Sequence, residues 1–367
     1  MNSEQTEKRT QAQKTMAALL EVANSEVEFS DMLISADDPV MIYNASGWTE
    51  FPDKRFTHAD IDFVLEAMRS DWQAHLLAGG FSCPFEVGPW RLRITAYLVL
   101  RGKKKRLAIR RTPIKPIPLS ETGLPDQIRL MAENRSGIIL IVGATGAGKS
   151  TTMAALVDFI NTTRSAHIET IEDPIEFVFE SKKSIFSQRE IGSDTPSFSE
   201  GVRGAMRQRP DVIVIGEILD RVTAENAILA GESGHLVIAT MHASSAYGAI
   251  QKMLSFFPGE EAAKLTSLAT SLMGVAYQAM LPAVDGIKGV VATELLFNHK
   301  QVFSPILGDA VKIQQALDAA TDGISRSLAF SLAEHVKAKR VTKGDALRSV
   351  AGQGAVYARA QVLINNL

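Results

Sequence analysis

The chain of 367 residues holds a single cysteine, Cys83. That excludes an internal disulfide and any zinc site built from several thiolates, and a reducing compartment is the simplest setting. An excess of one charge is also missing. The formal net charge of −2 gives no global case for a polyanionic partner or an anionic membrane surface. No apolar core follows the polar start "MNSEQTEKRTQAQK", so a cleavable signal peptide is not expected. An uninterrupted membrane-length hydrophobic run is absent too. The best candidate, residues 265–284, carries Ser and Thr together with Gln278 and Pro282. Its larger apolar residues, Leu265, Leu268, Leu272, Val275 and Ala279, have the spacing of one helix face. This predicts a packed helix rather than a span.

Length and an ordinary hydrophobic content are enough for two domains with separate cores. Their seam is marked by proline: "RTPIKPIPLSETGLPD" carries Pro113, Pro116, Pro118 and Pro125, residues that lack an amide donor and keep their predecessors extended. The expected division is a polar segment 1–14, an N-terminal domain 15–111, a linker 112–125 and a larger domain 126–367. Before the seam the pattern predicts a mixed α+β domain. It has a helix over 7–24, strands in "VEFSDMLI" and "VMIY", and a helix from His58 to Leu77 with Ile61, Leu65, Met68, Trp72 and Leu76 in register. Two longer strands, "WRLRITAYLVL" and "RLAIR", follow. After the seam, the short apolar runs "GIILIVG", "HIETIED", "DVIVIGE" and "GHLVIATMH" alternate with helical patterns, which argues for a parallel sheet with crossover helices. From Glu260 onward the pattern is mainly helical.

Between the first of these runs and a helix lies "GATGAGKS". It fits G-x-x-x-x-G-K-[ST] at every fixed position: Gly143, Ala144, Thr145, Gly146, Ala147, Gly148, Lys149 and Ser150, with Thr151 following. Glycines let successive amides turn toward phosphate oxygens at a helix N-terminus. Lys149 is expected to reach the β- and γ-phosphates, and Ser150 to coordinate Mg²⁺. Hydrolysis also needs a carboxylate near metal and water, and "PDVIVIGE" places Glu217 at a strand's C-terminal end. "TIEDPIEFVFE" places Glu172, Asp173, Glu176 and Glu180 at another. Converging carboxylates repel unless a cation sits among them. Spacing alone leaves open whether this second group serves Mg²⁺ or is an acidic turn facing solvent. His235 and His242 bracket the strand "HLVIATMH", either sensing a γ-phosphate or acting as hydrogen-bonded spacers.

"GATGAGKSTT", "TIEDPIEFV", "RQRPDVIVIGE" and "ESGHLVIATMHASSA", in this order, resemble the secretion ATPases of type II and type IV systems, in the PilT-like and DotB-like branch. "FSDMLI" and "SFFPGEE" are similar to further segments of that family, so the likeness runs from about Val27 to Leu347. It implies an α/β protein, with a PAS-like α+β N-terminal domain followed by a RecA-like P-loop ATPase domain and a helical C-terminal extension. It further implies ATP and Mg²⁺ as cofactors, a homo-hexamer with ATP at subunit interfaces, and work at inner-membrane platform proteins from the cytoplasmic face. By the same resemblance Lys149 and Ser150 are the Walker A pair, and Glu217 is the Walker B glutamate and an Mg²⁺ residue. Glu172, Asp173 and Glu176 form the Asp box, the first two toward Mg²⁺, and His235 and His242 the histidine box. Either Glu176 or Glu217 is the general base. N-terminal arginines of the family reach ATP phosphates, and Arg93, Arg101 and Arg111 are the candidates; Arg203 and Arg207 match further basic positions. Lys103, Lys104 and Lys105 read better as a solvated loop, and with only Tyr97 near, direct nucleic-acid binding is not indicated.

Two departures weaken a pilus-retraction assignment. "QVFSPILGD", Gln301 to Asp309, replaces an "AIRNLIRE"-like segment, and Leu219 stands where "GEMRD" has its arginine. The tetracysteine element of the GspE and PilB branch is absent. The expectation is a hexameric motor of a conjugation or type IVB secretion machine. The alternatives are a type IV pilus retraction ATPase or a non-catalytic nucleotide-binding regulatory subunit. A nucleic-acid translocase on the same core would require a local basic channel. A GTPase reading of "TKGD", Thr342 to Asp345, is set aside because the preceding segment is helical rather than a buried strand.

Overall fold

The computed structural model describes residues 14–27, 29–44, 47–285, 289–298, 303–319 and 322–367. The chain divides into two compact units: residues to Lys115 with Asp285, and Pro116–Val284 with Gly289–Leu367. In the first unit, α1 (14–23) precedes β1 (Asp31–Ser35), β2 (Pro39–Asn44), β3 (Gly47–Arg55), α2 (His58–Met68), α3 (Trp72–Leu77), β4 (Phe81–Val87), β5 (Trp90–Val99) and β6 (Lys104–Pro113). The six strands form one antiparallel sheet in the order β3-β2-β1-β6-β5-β4. Residues 7–13 of the expected first helix lie outside the described residues.

Three local expectations need correction. The helix expected from His58 to Leu77 is two helices. Arg69 is extended, with φ −167° and ψ 138°, and its Nε donates to Asp71 at 2.6 Å. That carboxylate also lies 3.1 Å from His75 Nε2, so local side-chain bonds compete with the helix. Ile61, Leu65, Trp72 and Leu76 still face the core. β3 and β4 are strands that the pattern reading did not find. They are the sheet's two edges and carry Pro52 and Pro84, which edge strands tolerate and which blur the alternation.

Arg111, on β6, is 9% exposed. Its guanidinium donates to the carbonyls of Ala23 at 2.6 Å and Phe29 at 3.0 Å. It also stacks on the rings of Phe29 and Trp90, at 3.7 and 4.3 Å from their centroids. The side chain therefore ties the end of α1 to the sheet. The basic hairpin is similarly engaged: Lys104 pairs with Asp38, and Lys105 pairs with Asp62 and lies over Trp72.

The second unit runs α4 (Ile128–Ala132), β7 (Gly137–Gly143), α5 (Lys149–Thr163), β8 (His167–Glu172), β9 (Ile185–Glu190), α6 (Phe198–Ala205), β10 (Val212–Ile215), α7 (Arg221–Glu232), β11 (Leu236–Met241), α8 (Ala246–Ser255) and α9 (Glu261–Ser271). It continues through β12 (Leu272–Pro282), β13 (Gly289–Phe297), α10 (Ala310–Ala319), α11 (Leu328–Lys337), α12 (Lys343–Ser349) and α13 (Gly354–Asn365). The sheet order is β13-β12-β7-β11-β10-β8-β9, parallel except for the β12–β13 pair. Both faces are covered. Ile138, Leu140 and Val142 enter one apolar core, Ile139 and Ile141 the other, which is why β7 is an unbroken apolar run.

The packed helix expected over 265–284 is only half helix. α9 ends at Ser271 and the chain continues as β12, an added central strand beside β7. A strand buried on both faces has no period of two to read, and small residues imitate a helix face. The polar half-buried strand β9 was missed for the opposite reason. Thr342 opens α12 as its cap, with Oγ1 accepting from the Asp345 amide, so "TKGD" is a helix start and not a base-reading loop. Among the described residues no helix is long and apolar enough to cross a membrane.

Arg111→Ala would leave buried carbonyls without their donor. It is expected to lower the unfolding free energy by about 3 kcal/mol, read as a shift in the urea midpoint. Arg93→Ala, on an exposed position of β5, should stay within about 0.5 kcal/mol of the parent.

Candidate active site

Parallel strands whose C-terminal ends align create a ligand-binding edge. Met241 is level with Val142 in β7, and Ile215 of β10 with Ala239 of β11 and Ile171 of β8. The loop after β7, Glu217 after β10, the acidic segment after β8 and His242 after β11 therefore meet at one edge.

The loop from Gly143 to Gly148 is shaped by backbone. Gly148 has φ +85° and forms the N-cap of α5, a left-handed position that suits glycine. At Gly143 a Cβ would come within 2.5 Å of the Gln278 carbonyl in β12, so that position admits no side chain. Beneath the loop, Gln278 Nε2 donates to Thr152 Oγ1 at 2.8 Å, which fixes the first turn of α5 to the sheet. Ala144, Thr145 and Gly146 are exposed; Ser150 and Thr151 are half-buried at the helix start.

Lys149 turns its ammonium onto the loop's own carbonyls, Gly143 O at 3.1 Å and Ala144 O at 3.0 Å. Burial pushes its pKa down, and the carboxylates of Glu217 and Glu176 oppose that fall. Both acids thus lie within electrostatic range of the same cation. This donor set suits a polyphosphate: a glycine-shaped loop at the N-terminus of a 15-residue helix, a lysine whose ammonium lies on the loop's carbonyls, and a serine hydroxyl one residue on. Among the described residues no group of three or more His, Cys, Asp or Glu is arranged to hold a metal. A bound Mg²⁺ would take Ser150 and the Glu217 region on one side and draw its remaining ligands from phosphate and water.

Glu217 is pinned from both flanks. The Gly216 amide donates to Ile171 O at 2.8 Å, the Ile218 amide donates to Thr240 O at 3.0 Å, and the Thr240 hydroxyl donates to the Gly216 carbonyl. His242 Nε2 lies 3.0 Å from Glu217 Oε1. Glu176 is half-buried and Asp173 exposed on the loop after β8.

Two expected site residues are placed elsewhere by this geometry. Glu172 is 6% exposed and turned inward, accepting from Thr170 Oγ1 at 2.7 Å and from the Glu176 amide. Burial raises its pKa to about 7, and its hydrogen bonds hold it beneath the acidic loop. His235 lies at the opposite edge of the sheet. Its carbonyl accepts from the Gly137 amide at 3.0 Å, level with the start of β7, and its Nδ1 is 3.2 Å from Ala230 O. Six strand residues separate that level from the phosphate loop, roughly 20 Å, too far for a γ-phosphate in the same subunit. Sequence order had bracketed one strand with two histidines, but a strand carries its ends to opposite sides of the sheet.

The arginines differ among themselves. Arg111 is consumed inside the first unit. Arg93 is exposed, and among the described residues no hydrogen bond or ion pair engages it. Arg101 sits at the β5–β6 hairpin tip with φ +58°. Arg203 is exposed and pairs loosely with Glu200 at 3.7 Å, and Arg207 is exposed. Gln278 and Thr152, which brace the loop, went unnoticed in the sequence because only the fold brings a β12 residue beside α5.

Residues 94–305 match the type II/IV secretion system protein family. The chain is 38% identical over 264 residues to the type IV pilus retraction ATPase PilT of Pseudomonas aeruginosa, covering 71% of this chain and 74% of that protein. Among solved structures, the Legionella pneumophila ATPase DotB superposes with a TM-score of 0.80 at 25% identity, over 92% of this chain and 94% of DotB. The pilus retraction motor PilT with bound ADP gives 0.76 at 32% identity, over 90% and 96%.

Glu172→Gln should reveal the buried carboxyl. Its folded pKa lies above the ordinary 4.5, so the parent's stability is full below about pH 4.5 and falls as pH rises toward 7. The loss relative to the glutamine variant should approach about 3 kcal/mol above pH 7. Denaturant midpoints at pH 5 and pH 8 test this; equal differences between parent and variant at both pH values would refute it.

Proposed function

This chain belongs to the type II/IV secretion system protein family, whose PilT-like members are ATPases, and we propose that it is a ring-forming ATP-hydrolysing motor of the pilus-retraction kind. The observation that carries the reading is the single cleft edge where Lys149 lies within electrostatic range of both Glu217 and Glu176 while His242 stands 3.0 Å from Glu217. A phosphate loop alone would only bind. A cleft with two ionisable carboxylates beside the loop is equipped to orient and deprotonate an attacking water.

In this reading Lys149 leaves its carbonyl partners for the phosphates and Ser150 holds Mg²⁺. That metal, when bound, would supply charge neutralisation at the phosphates. Glu217, held rigid by Thr240, and Glu176 flank the water, and His242 reports the state of Glu217 to α8. Arg93, exposed and unengaged among the described residues, is the N-terminal arginine best suited to meet phosphate from a neighbouring subunit of a homo-hexamer. Arg111 is unsuited, since its guanidinium already holds the first unit together. The motor would act at inner-membrane platform proteins from the cytoplasmic side.

The identity to PilT across most of both chains favours pilus retraction over the conjugation or type IVB machine expected from sequence. The second reading keeps two supports: the superposition on DotB, and Leu219, 59% exposed at the family's arginine position. Of the 301–309 segment, Gln301 and Val302 lie outside the described residues.

Lys149→Ala in the source organism separates the two. Loss of twitching motility with DNA transfer intact is expected, and the reverse would reassign the motor. In the purified protein, Glu217→Gln should keep nucleotide affinity within about threefold and cut turnover by a factor of about 10² or more. Parent protein that binds but never hydrolyses ATP would identify a regulatory subunit instead.

A further inference from the structure

Glu294 lies in β13 with 2% of its surface exposed. An ionised carboxyl in such a place requires strong partners. Its cross-strand neighbour is Tyr277, which does not meet that need. Its Oε1 accepts from the Ala246 amide at 2.8 Å, and the carboxylate also accepts from the Leu328 amide. These two donors have one property in common: each is the first residue of a helix, Ala246 of α8 and Leu328 of α11.

The helix caps explain why those amides are free to be used. Ser245 Oγ accepts from the Gly248 amide at 2.9 Å, and Ser327 Oγ accepts from the Phe330 amide at 3.4 Å. Both serines satisfy the third amide of their helix and leave the first as an orphan. Glu294 collects both orphans, at a point where two positive helix ends converge. Burial, with the Asp318 carboxylate adding to it, raises the pKa of Glu294 despite the two amides.

The two helices belong to different parts of the machine. α8 begins four residues after His242, the partner of Glu217. α11 is part of the C-terminal helical layer and is fastened to β13 by the Thr293 amide donating to Ser331 Oγ at 3.1 Å. One carboxylate is therefore the common anchor of the segment that presents His242 and of a C-terminal helix.

We propose that Glu294 is a positioning residue for hydrolysis: it fixes the start of α8 so that His242 meets Glu217, and it transmits displacement of α11 to that pair. It touches no nucleotide. The inference rests on the ATPase reading above.

The test is steady-state hydrolysis and nucleotide binding with the full-length chain and Glu294→Gln. Glutamine keeps the volume and one acceptor oxygen but loses the second acceptor oxygen. The expected result is a fall in kcat of roughly tenfold, the scale of one charge-assisted buried hydrogen bond, with KM and nucleotide Kd within about twofold of the parent. In a His242→Ala background the same substitution should add less than about twofold, because the imidazole it positions is gone. Unchanged kcat in Glu294→Gln, or losses that multiply in the double variant, would overturn the proposal while parent hydrolysis leaves the ATPase reading standing. A parent that does not hydrolyse ATP overturns both. If Glu294→Gln does not fold, Glu294→Asp, which retains the carboxyl but retracts it by one methylene, is held to the same two outcomes.

Discussion

Parallel registration of β7, β11, β10 and β8 is the constraint on which the second unit depends. Neighbouring strands end within two residues of one another, so four loops from distant parts of the chain share one edge without contacting one another first. Chemistry then needs only the right residue within six positions of each strand's end. Lys149 follows β7, Glu217 follows β10, Glu176 follows β8 and His242 follows β11. The bonds from Thr240 to both neighbours of Glu217 show how the sheet is continued beyond its formal end, so that the glutamate sits on strand-like backbone rather than on a free loop. Rigid support of this kind is what electrostatic stabilisation of a charged transition state requires.

Much of this edge was legible in the sequence, and for a definable reason. Motifs such as Gly143 to Ser150 encode their function in local backbone and in adjacent residues, so spacing alone carries the information. Uniformly apolar strands between helical patterns gave the parallel sheet. What failed was information held between distant segments. β12 reads like the continuation of a helix because both its faces are covered by other parts of the chain. Glu172 and Glu176 look equivalent four residues apart, yet one is buried against Thr170 and the other is half-buried. His235 and His242 look like a matched pair until the strand between them is given a direction.

The arginines of the first unit make the same point. Arg93 and Arg111 lie on adjacent paired strands, one residue off opposite positions, since Arg111 is level with Leu92 and Arg110 with Arg93. The pleat sends consecutive residues to opposite faces, so Arg111 points into the core and closes α1 onto the sheet, while Arg93 and Arg110 lie on the outer face. A shift of one position thus separates a structural cation from one available to a ligand. No count of basic residues in the hairpin contains that distinction.

The lysine of the phosphate loop is at rest on the carbonyls of Gly143 and Ala144, and this makes nucleotide entry a substitution rather than a capture. An incoming anion has to replace two existing bonds and still leave the ammonium better neutralised than before. A lone monoanion offers too few oxygens to win that exchange; a chain of phosphates offers several at once, together with the open amides of the loop. If the loop takes a polyphosphate as proposed, the two bonds of Lys149 to Gly143 and Ala144 are the ones that the ligand has to exchange.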